Sequence, residues 1–404
     1  MSIAPDIARQ ISIMAPSSGS LAATLAAPRA APFAPERLAL VDAVRKAIMA
    51  DPQARARPEM VALAFWARGA SLAQLGASLN DGYTRSPRGL ALHIAPGNVD
   101  TMFLYSALLS VLAGNVNIVR VSGRESEALT LLLRLLNEAL ANLPETLRAC
   151  LLIVRYPAEK PINDALSAHA DVRVIWGGDD TVREVRASPL PPHATELTFP
   201  SKVSAAVIDA ATWLAAPDQA EQARRFALDA VTFGQQACSS PLALFWRGDA
   251  ASVAAAQATF WPLVESAIAA AGEPFSARAA VDKLVAEQML AAAGPVHHRA
   301  TNDYRLRVTE TPDLARLTRL ASDGFFVERR IDTLADLAPL VQRDWQSIAS
   351  LGVSGDDWRA MLAASRPHGI DRIVPFGQAL AFGHVWDGVD LLAALTRIVK
   401  IEVR

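Results

Sequence analysis

Between Leu90 and Trp176 the chain alternates short apolar runs with longer amphipathic segments, and few folds can satisfy that pattern. Leu90–Ala95, Val116–Val121, Leu151–Tyr156 and Val172–Trp176 are the runs, and turn-forming Gly, Pro or Asn residues punctuate the region. Such runs suit strands buried on both faces. The segments between them, Thr101–Ala113, Glu125–Ala141 and Pro161–Ala170, carry a helical spacing. Strands separated by helices imply right-handed βαβ units and a mostly parallel, doubly wound α/β sheet.

A second αβ region is expected from Lys202 onward. It contains a strand at Val203–Asp209, a helix at Gln219–Phe233 ending at Gly234, and a strand at Pro241–Trp246. Two Ala-rich helices come next, Ala251–Ala271 and Ala277–Ala293. Beyond them lie an apolar run at Phe325–Val327, a helix over Leu334–Ile348, and a closing helix and strand within Val389–Val403. Upstream, Leu38, Val41, Val44 and Ile48 line one face of a helix opened by Pro35, and a second apolar helix starts at Pro58. Residues up to about Pro35 read as a frayed tail. The expected division is an N-terminal helical segment (1–88), a nucleotide-binding domain (89–201), a second domain carrying a cysteine (202–370) and a C-terminal return segment (371–404).

Composition narrows the function classes. The 404 residues are 51% hydrophobic and 20% charged, ordinary for a globular chain and far from a disordered one. Lys and Arg number 39 against 41 Asp and Glu, a net charge of −2, which gives no support to a dedicated nucleic-acid surface. Two cysteines make no disulfide framework. The adjacent pair His297 and His298 lacks a nearby Cys or paired carboxylates, so no metal is expected. The most apolar stretch, Thr101–Gly114, is shorter than the roughly 20 residues a membrane span requires. With no secretory-signal pattern at the N-terminus, a cytoplasmic location is expected.

Three places carry chemistry. Cys238 lies in Phe233-Gly-Gln-Gln-Ala-Cys-Ser-Ser-Pro241, where small neighbours leave room for a ligand and turn N–H groups can stabilise a thiolate or an oxyanion. It reads equally as a nucleophile or an inert thiol, whereas Cys150 opens an apolar strand and reads as inert. Asn98 falls past the end of a strand, where its amide can donate to an oxyanion or simply complete a turn. Arg120, Ser122, Gly177 and Gly178 fall at the ends of two further strands, the edge where nucleotides rest in open α/β sheets, with phosphates near helix N-termini. No P-loop, G-x-G-x-x-G or G-x-S-x-G motif is present. Gln236-Ala237-Cys238 brushes against a caspase signature, but Ser239-Ser240 after the cysteine and the α/β lobe before it exclude that fold.

Taken in order, Ile94-Ala-Pro-Gly-Asn98, Leu112-Ala-Gly-Asn115, Trp176-Gly-Gly-Asp179, Gly234-Gln-Gln-Ala-Cys-Ser-Ser-Pro241 and His384-Val-Trp-Asp-Gly388 resemble the aldehyde dehydrogenase superfamily, and within it the LuxC-type acyl-CoA reductases. The resemblance covers residue 89 to the C-terminus. It implies two doubly wound αβα lobes with a cleft between them and a C-terminal helix/strand segment. It also implies NADPH-dependent reduction of a long-chain acyl-CoA or acyl-protein thioester to the aldehyde. In that reading Cys238 is the acylated nucleophile and Asn98 an oxyanion donor, while Arg120, Ser122, Gly177 and Gly178 line the cofactor cleft.

The glutamate that activates water in hydrolytic relatives has no counterpart. Aligned on Lys202, its position holds Thr198, and Glu196 is displaced by two, which suits reduction over hydrolysis. Arg120 stands where relatives carry lysine. It reads either as a 2′-phosphate ligand or as drift in a chain with 34 arginines and five lysines. Trp386-Asp387-Gly388 is expected to pack or to meet another subunit, and Ile398–Val403 is a candidate oligomer strand. The alternatives are a cysteine acyltransferase or thioesterase on the same scaffold, and a non-catalytic partner subunit.

Overall fold

The computed structural model describes residues 3–97, 99–271, 277–299, 305–311 and 322–403. The chain forms two compact units, Met1–Ser201 with Phe382–Arg404, and Lys202–Ala381.

In the first unit a short helix (Pro5–Ala8) leads into β1 (Ser12–Ala15), and β2 (Thr84–Pro87) stands apart. β3 (Leu90–Ile94), β4 (Val116–Arg120), β5 (Leu151–Arg155), β6 (Val172–Trp176) and β7 (Thr195–Phe199) complete a six-stranded sheet of order β1-β5-β4-β3-β6-β7. All neighbours are parallel except β1, which runs antiparallel to β5. Every residue of β3 and β6 is buried, which is why these strands read as unbroken apolar runs. β1 corrects the frayed-tail expectation. Ser12–Ala15 pairs with Ile153–Arg155, and Leu21–Ala26 is a helix capped by Ser20 Oγ accepting Ala23 N–H at 3.1 Å. Its outward half is exposed, so no apolar run announced it.

In the second unit β8 (Val203–Asp209), β9 (Pro241–Arg247), β10 (His297–Arg299), β11 (Arg307–Glu310), β12 (Phe325–Ile331), β13 (Trp345–Leu351) and β14 (Arg372–Pro375) form a sheet of order β10-β11-β12-β9-β8-β13-β14. Only the β10–β11 pair is antiparallel. Alternation along the strands fills two cores. Ala206, Ile208, Leu244 and Trp246 meet Phe226, Phe260 and Val264 on one face. Ala205, Val207, Phe245 and Ile348 meet Trp358 and Met361 on the other. Truncating a fully buried ring such as Phe226 would cost about 3–5 kcal/mol.

The helix expected over Leu334–Ile348 is instead two short 3₁₀ turns, Leu334–Asp336 and Ala338–Leu340, and then β13. Leu334, Leu337, Leu340 and Val341 imitate a helical period. Thr333 and Asp336 close a capping box around a single turn, and Pro339, which has no N–H to donate back, keeps that turn from running on into the second as one helix.

The return segment begins at Phe382. Asp371–Ala381 belongs to the second unit, because β14 pairs with β13 and buried Asp229 accepts the N–H groups of Gly377 and Ala379 at 2.6 and 2.9 Å. Back in the first unit, β15 (Val385–Trp386) and β16 (Val389–Asp390) form a hairpin whose two central residues, Asp387 and Gly388, both have positive φ, the backbone a two-residue hairpin demands. It seats Trp386 edge-on against Trp176, ring centres 5.7 Å apart. After the turn Leu391–Ala394, β17 (Thr396–Val399) pairs antiparallel with β2, so the strand expected at Ile398–Val403 starts earlier and has a partner in its own chain. Asn115 fastens this return: Nδ2 donates to Leu395 O at 2.9 Å while Oδ1 accepts Gly89 N–H at 3.0 Å. No described helix is long and apolar enough to cross a membrane.

Candidate active site

The segment leading to Cys238 is built from unusual backbone. The helix Gln219–Val231 stops short of the expected Phe233, and Phe233, Gly234 and Gln235 then hold φ values of 59°, 58° and 59°. Left-handed backbone costs a non-glycine residue about 1–2 kcal/mol, so Phe233 and Gln235 need compensation. Gln235 supplies it. Fully buried, its Nε2 donates to Pro241 O at 2.9 Å and Phe325 O at 3.0 Å, and its Oε1 accepts the N–H groups of Gly324 and Phe325 at 3.0 and 3.2 Å.

Gly234 has a second reason to be glycine. A Cβ there would lie 2.7 Å from Asp323 Oδ1. From below, buried Lys283 donates to Arg305 O at 3.0 Å and to Asp323 O, and Asp323 N–H returns a bond to Gly234 O at 3.2 Å. The turn before the cysteine is therefore fixed by groups from three separate segments.

Cys238 sits in the turn between that left-handed segment and β9, partly exposed among buried Ala237, Ser239 and Ser240. Its carbonyl accepts Ser204 Oγ–H at 2.7 Å, and its sulfur accepts Gln346 Nε2–H at 3.2 Å. Cys150 is fully buried, and desolvation pushes its thiol up to about 11, which makes it unreactive.

The other expected site residues lie in the first unit, at the carboxyl ends of its strands. The sheet reverses its order at β3 and β6, whose following helices lead to opposite edges, and a crevice at such a reversal is where α/β sheets bind ligands. Gly177 and Gly178 close β6. A side chain at Gly177 would run into Thr181 at 2.9 Å, while Gly178 faces more open space. Asn98 lies outside the described residues, but its flanks are held. Ala95 N–H donates to Arg120 O at 2.9 Å, Gly97 packs so closely on Ser122 that a Cβ would lie 3.0 Å from Oγ, and Asp100 accepts Ser126 Oγ–H at 2.5 Å. Ser122 Oγ itself accepts Arg124 N–H at 3.1 Å. Arg120 lies beside the Tyr156 ring, 5.0 Å from its centre, with Nε donating to Tyr156 O at 3.4 Å and neither terminal nitrogen bonded among the described residues. The helix after Gly178 opens with Asp179 and Asp180, whose carboxylates make its N-terminus a poor seat for phosphate. Arg120, with its guanidinium at the end of β4, could hold an anion at this edge.

Beneath β3 a buried relay runs Trp176–Ser106–His93–Asn117. Asn117 Nδ2 donates to Asn115 O and Cys150 O, which leaves Oδ1 as acceptor for His93 Nε2–H at 3.1 Å. His93 Nδ1 therefore accepts from Ser106 Oγ at 2.8 Å, and Ser106 in turn accepts Trp176 Nε1–H at 3.0 Å. Burial lowers the imidazole to about 4, so it stays neutral.

Glu196 is occupied elsewhere. It pairs with Arg186 at 2.8 Å and with Arg173, which is 2% exposed and also donates to Ser167 Oγ and Ser188 O. A carboxylate that neutralises a buried guanidinium is costly to withdraw. Sequence reading missed the roles of Gln235, Ser204 and Gln346: Ser204 and Gln346 lie near the starts of strands brought together only by sheet pairing, and Gln235 lies in the left-handed segment itself. The Gly-Gln at the start of the cysteine motif was the one visible signal.

This architecture is the aldehyde dehydrogenase fold. The structure of an indole-3-acetaldehyde dehydrogenase in complex with NAD+ superposes with a TM-score of 0.65 at 14% identity, covering 91% of this chain and 84% of that one. Residues 78–398 match the acyl-CoA reductase (LuxC) family, and the chain belongs to it. Among individual relatives, long-chain acyl-protein thioester reductase 2 of Photobacterium leiognathi is 24% identical over 78% of this chain and 64% of its own length. The long-chain acyl-protein thioester reductase of Aliivibrio fischeri is 28% identical over 40% of this chain and 33% of its own length. The chain thus spans about a third to two thirds of these relatives.

Proposed function

We propose that this protein reduces a long-chain acyl thioester, carried by CoA or by a partner protein, to the aldehyde through an acyl group held on Cys238. The observation that carries the reading is the cysteine turn. A partly exposed sulfur with an N–H donor on it follows a strained left-handed segment, and buried side chains of its own unit fix that segment. Strain maintained at this cost marks a working position.

In the proposed reaction the Cys238 thiolate attacks the acyl carbonyl. A new C–S bond forms, and the donor's thiolate leaves and takes a proton. Amide donors, with Asn98 carried over from the family, hold the oxyanion. A reduced nicotinamide cofactor, NADPH in this reading, supplies a hydride when bound. The reduced adduct is a thiohemiacetal on Cys238. As its C–S bond breaks, the carbonyl re-forms as aldehyde and the sulfur returns to thiolate. Arg120 would meet an anionic part of the cofactor, and Ser122, Gly177 and Gly178 would line its place at the strand ends. These residues fit such a group: the partly exposed Arg120 guanidinium, whose two terminal nitrogens bond nothing among the described residues, ends β4 one strand from the sheet-order reversal, beside a loop that glycine lets approach closely. Glu196, locked between two arginines, activates no water, which protects the acyl-enzyme from hydrolysis.

The test is a panel of acyl-CoA and acyl-protein thioesters, read by NADPH oxidation and aldehyde trapping. Thioester-dependent NADPH loss with aldehyde formed, abolished by Cys238→Ala, is the expected result. Acyl release without NADPH oxidation would assign the chain to acyl transfer instead.

A further inference from the structure

We propose that Gln346 is a catalytic residue of the cysteine site, its side-chain amide holding the Cys238 sulfur as an anion and aiming it. This deepens the proposed function, since it names a second group acting on the same sulfur.

Gln346 lies on β13, 108 residues from the cysteine in sequence, and is 3% exposed. Its Nε2 reaches Sγ at 3.2 Å, and its Oε1 accepts Ser347 Oγ–H at 3.3 Å, so the amide is oriented from its other end. Ser347 N–H donates to Ser204 Oγ at 3.0 Å, and Ser204 Oγ–H donates to the Cys238 carbonyl at 2.7 Å. The four residues close a ring that grips Cys238 at both its sulfur and its backbone.

The strands deform to build that ring. β13 and β8 pair in register as Trp345↔Val203 and then Ile348↔Ala205, so Gln346 and Ser347 stand opposite the single residue Ser204. The pairing of β8 with β9 also shifts between Ser204 and Ala205. An extra residue in a strand redirects a side chain, and such bulges collect beside active sites. Without it, the alternation of the strand would place Gln346 and Ser347 on opposite faces with no shared partner.

An N–H donor aimed at sulfur favours thiolate over thiol. The effect changes along the reaction. Acylation turns the sulfur into a poor acceptor, so the amide gains most when the sulfur is charged, before attack and as the thiohemiacetal expels it. Gln346 would therefore make Cys238 a better leaving group in the aldehyde-forming step as well as a populated nucleophile.

The pH dependence of iodoacetamide alkylation at Cys238, read by peptide mass in the full chain, tests this without an acyl donor or a reductant. It therefore stands apart from any failure of the proposed function. Gln346→Leu should move the alkylation midpoint up by about one pH unit and slow the reaction at pH 7 by about tenfold, and Gln346→Glu should move it further. Ser347→Ala keeps the amide but removes the hydroxyl that orients it, and should give a smaller shift in the same direction, which preserves the test if the Gln346 variants do not fold. Folded variants with a wild-type midpoint and rate would overturn the proposal, even if they had lost thioester reduction.

Discussion

Gln235 and Phe325 exchange two hydrogen bonds: the Phe325 N–H donates to Gln235 Oε1 at 3.2 Å, and Gln235 Nε2 donates to the Phe325 carbonyl at 3.0 Å. A buried side chain thereby behaves like an extra strand residue. It docks the left-handed turn before Cys238 onto the start of β12, and the cysteine-bearing segment inherits the rigidity of the sheet.

Replacing Gln235 with Ala should consequently do more than remove packing. It strands the buried N–H groups of Gly324 and Phe325 and leaves the left-handed turn uncompensated, at an expected cost of about 3–5 kcal/mol. Denaturant unfolding of the variant measures it. A loss below about 1 kcal/mol would mean that the turn is held by other contacts.

Gly234→Ala introduces a methyl group 2.7 Å from Asp323 Oδ1 at a φ of +58°. We expect about 1–3 kcal/mol of destabilisation and slower alkylation of Cys238, because the turn must shift to admit the methyl. Unchanged alkylation kinetics would show that the turn does not set the position of the sulfur.

For Glu196 the prediction separates structure from chemistry. Glu196→Gln leaves the Arg173 guanidinium buried without its counter-charge and should cost about 3–5 kcal/mol. The alkylation rate of Cys238 in the folded fraction should equal wild type. A fall in that rate at unchanged stability would give Glu196 the role of base that its ion pairs argue against.

His93 makes the first unit acid-sensitive. Its imidazole binds a proton near pH 6.5 when unfolded and only near 4 when folded, so the unfolded state takes up more protons between those values. Stability should be fully present above about pH 6.5 and fall by about 3 kcal/mol as pH drops to 4. His93→Gln should remove that component of the pH dependence. An identical acid profile in the variant would contradict the assignment of a buried neutral imidazole.

The parallel strands were legible because burial on both faces writes them as apolar runs; β3, β4, β5, β6, β8 and β9 all announced themselves that way. β7, with Glu196 between Thr195 and Leu197 and only Phe199 fully buried, is a half-covered edge and gave no such signal. The leucines of 334–341 imitated a helix because spacing alone does not register a capping box or a proline. At the candidate site, Cys238 stands out by its motif, since the signal is local. Gln346 and Ser204 do not, because their bonds to Cys238 arise from pairing between strands distant in sequence and from a bulge that no local pattern encodes.

The most direct measurement is intact-mass analysis of the full chain after incubation with a long-chain acyl-CoA, before and after addition of NADPH. The account predicts a single acyl adduct that maps to Cys238, is absent from Cys238→Ala, and disappears on NADPH addition as free aldehyde accumulates. An adduct that persists in Cys238→Ala, or one that NADPH leaves untouched while free acid accumulates, would contradict it.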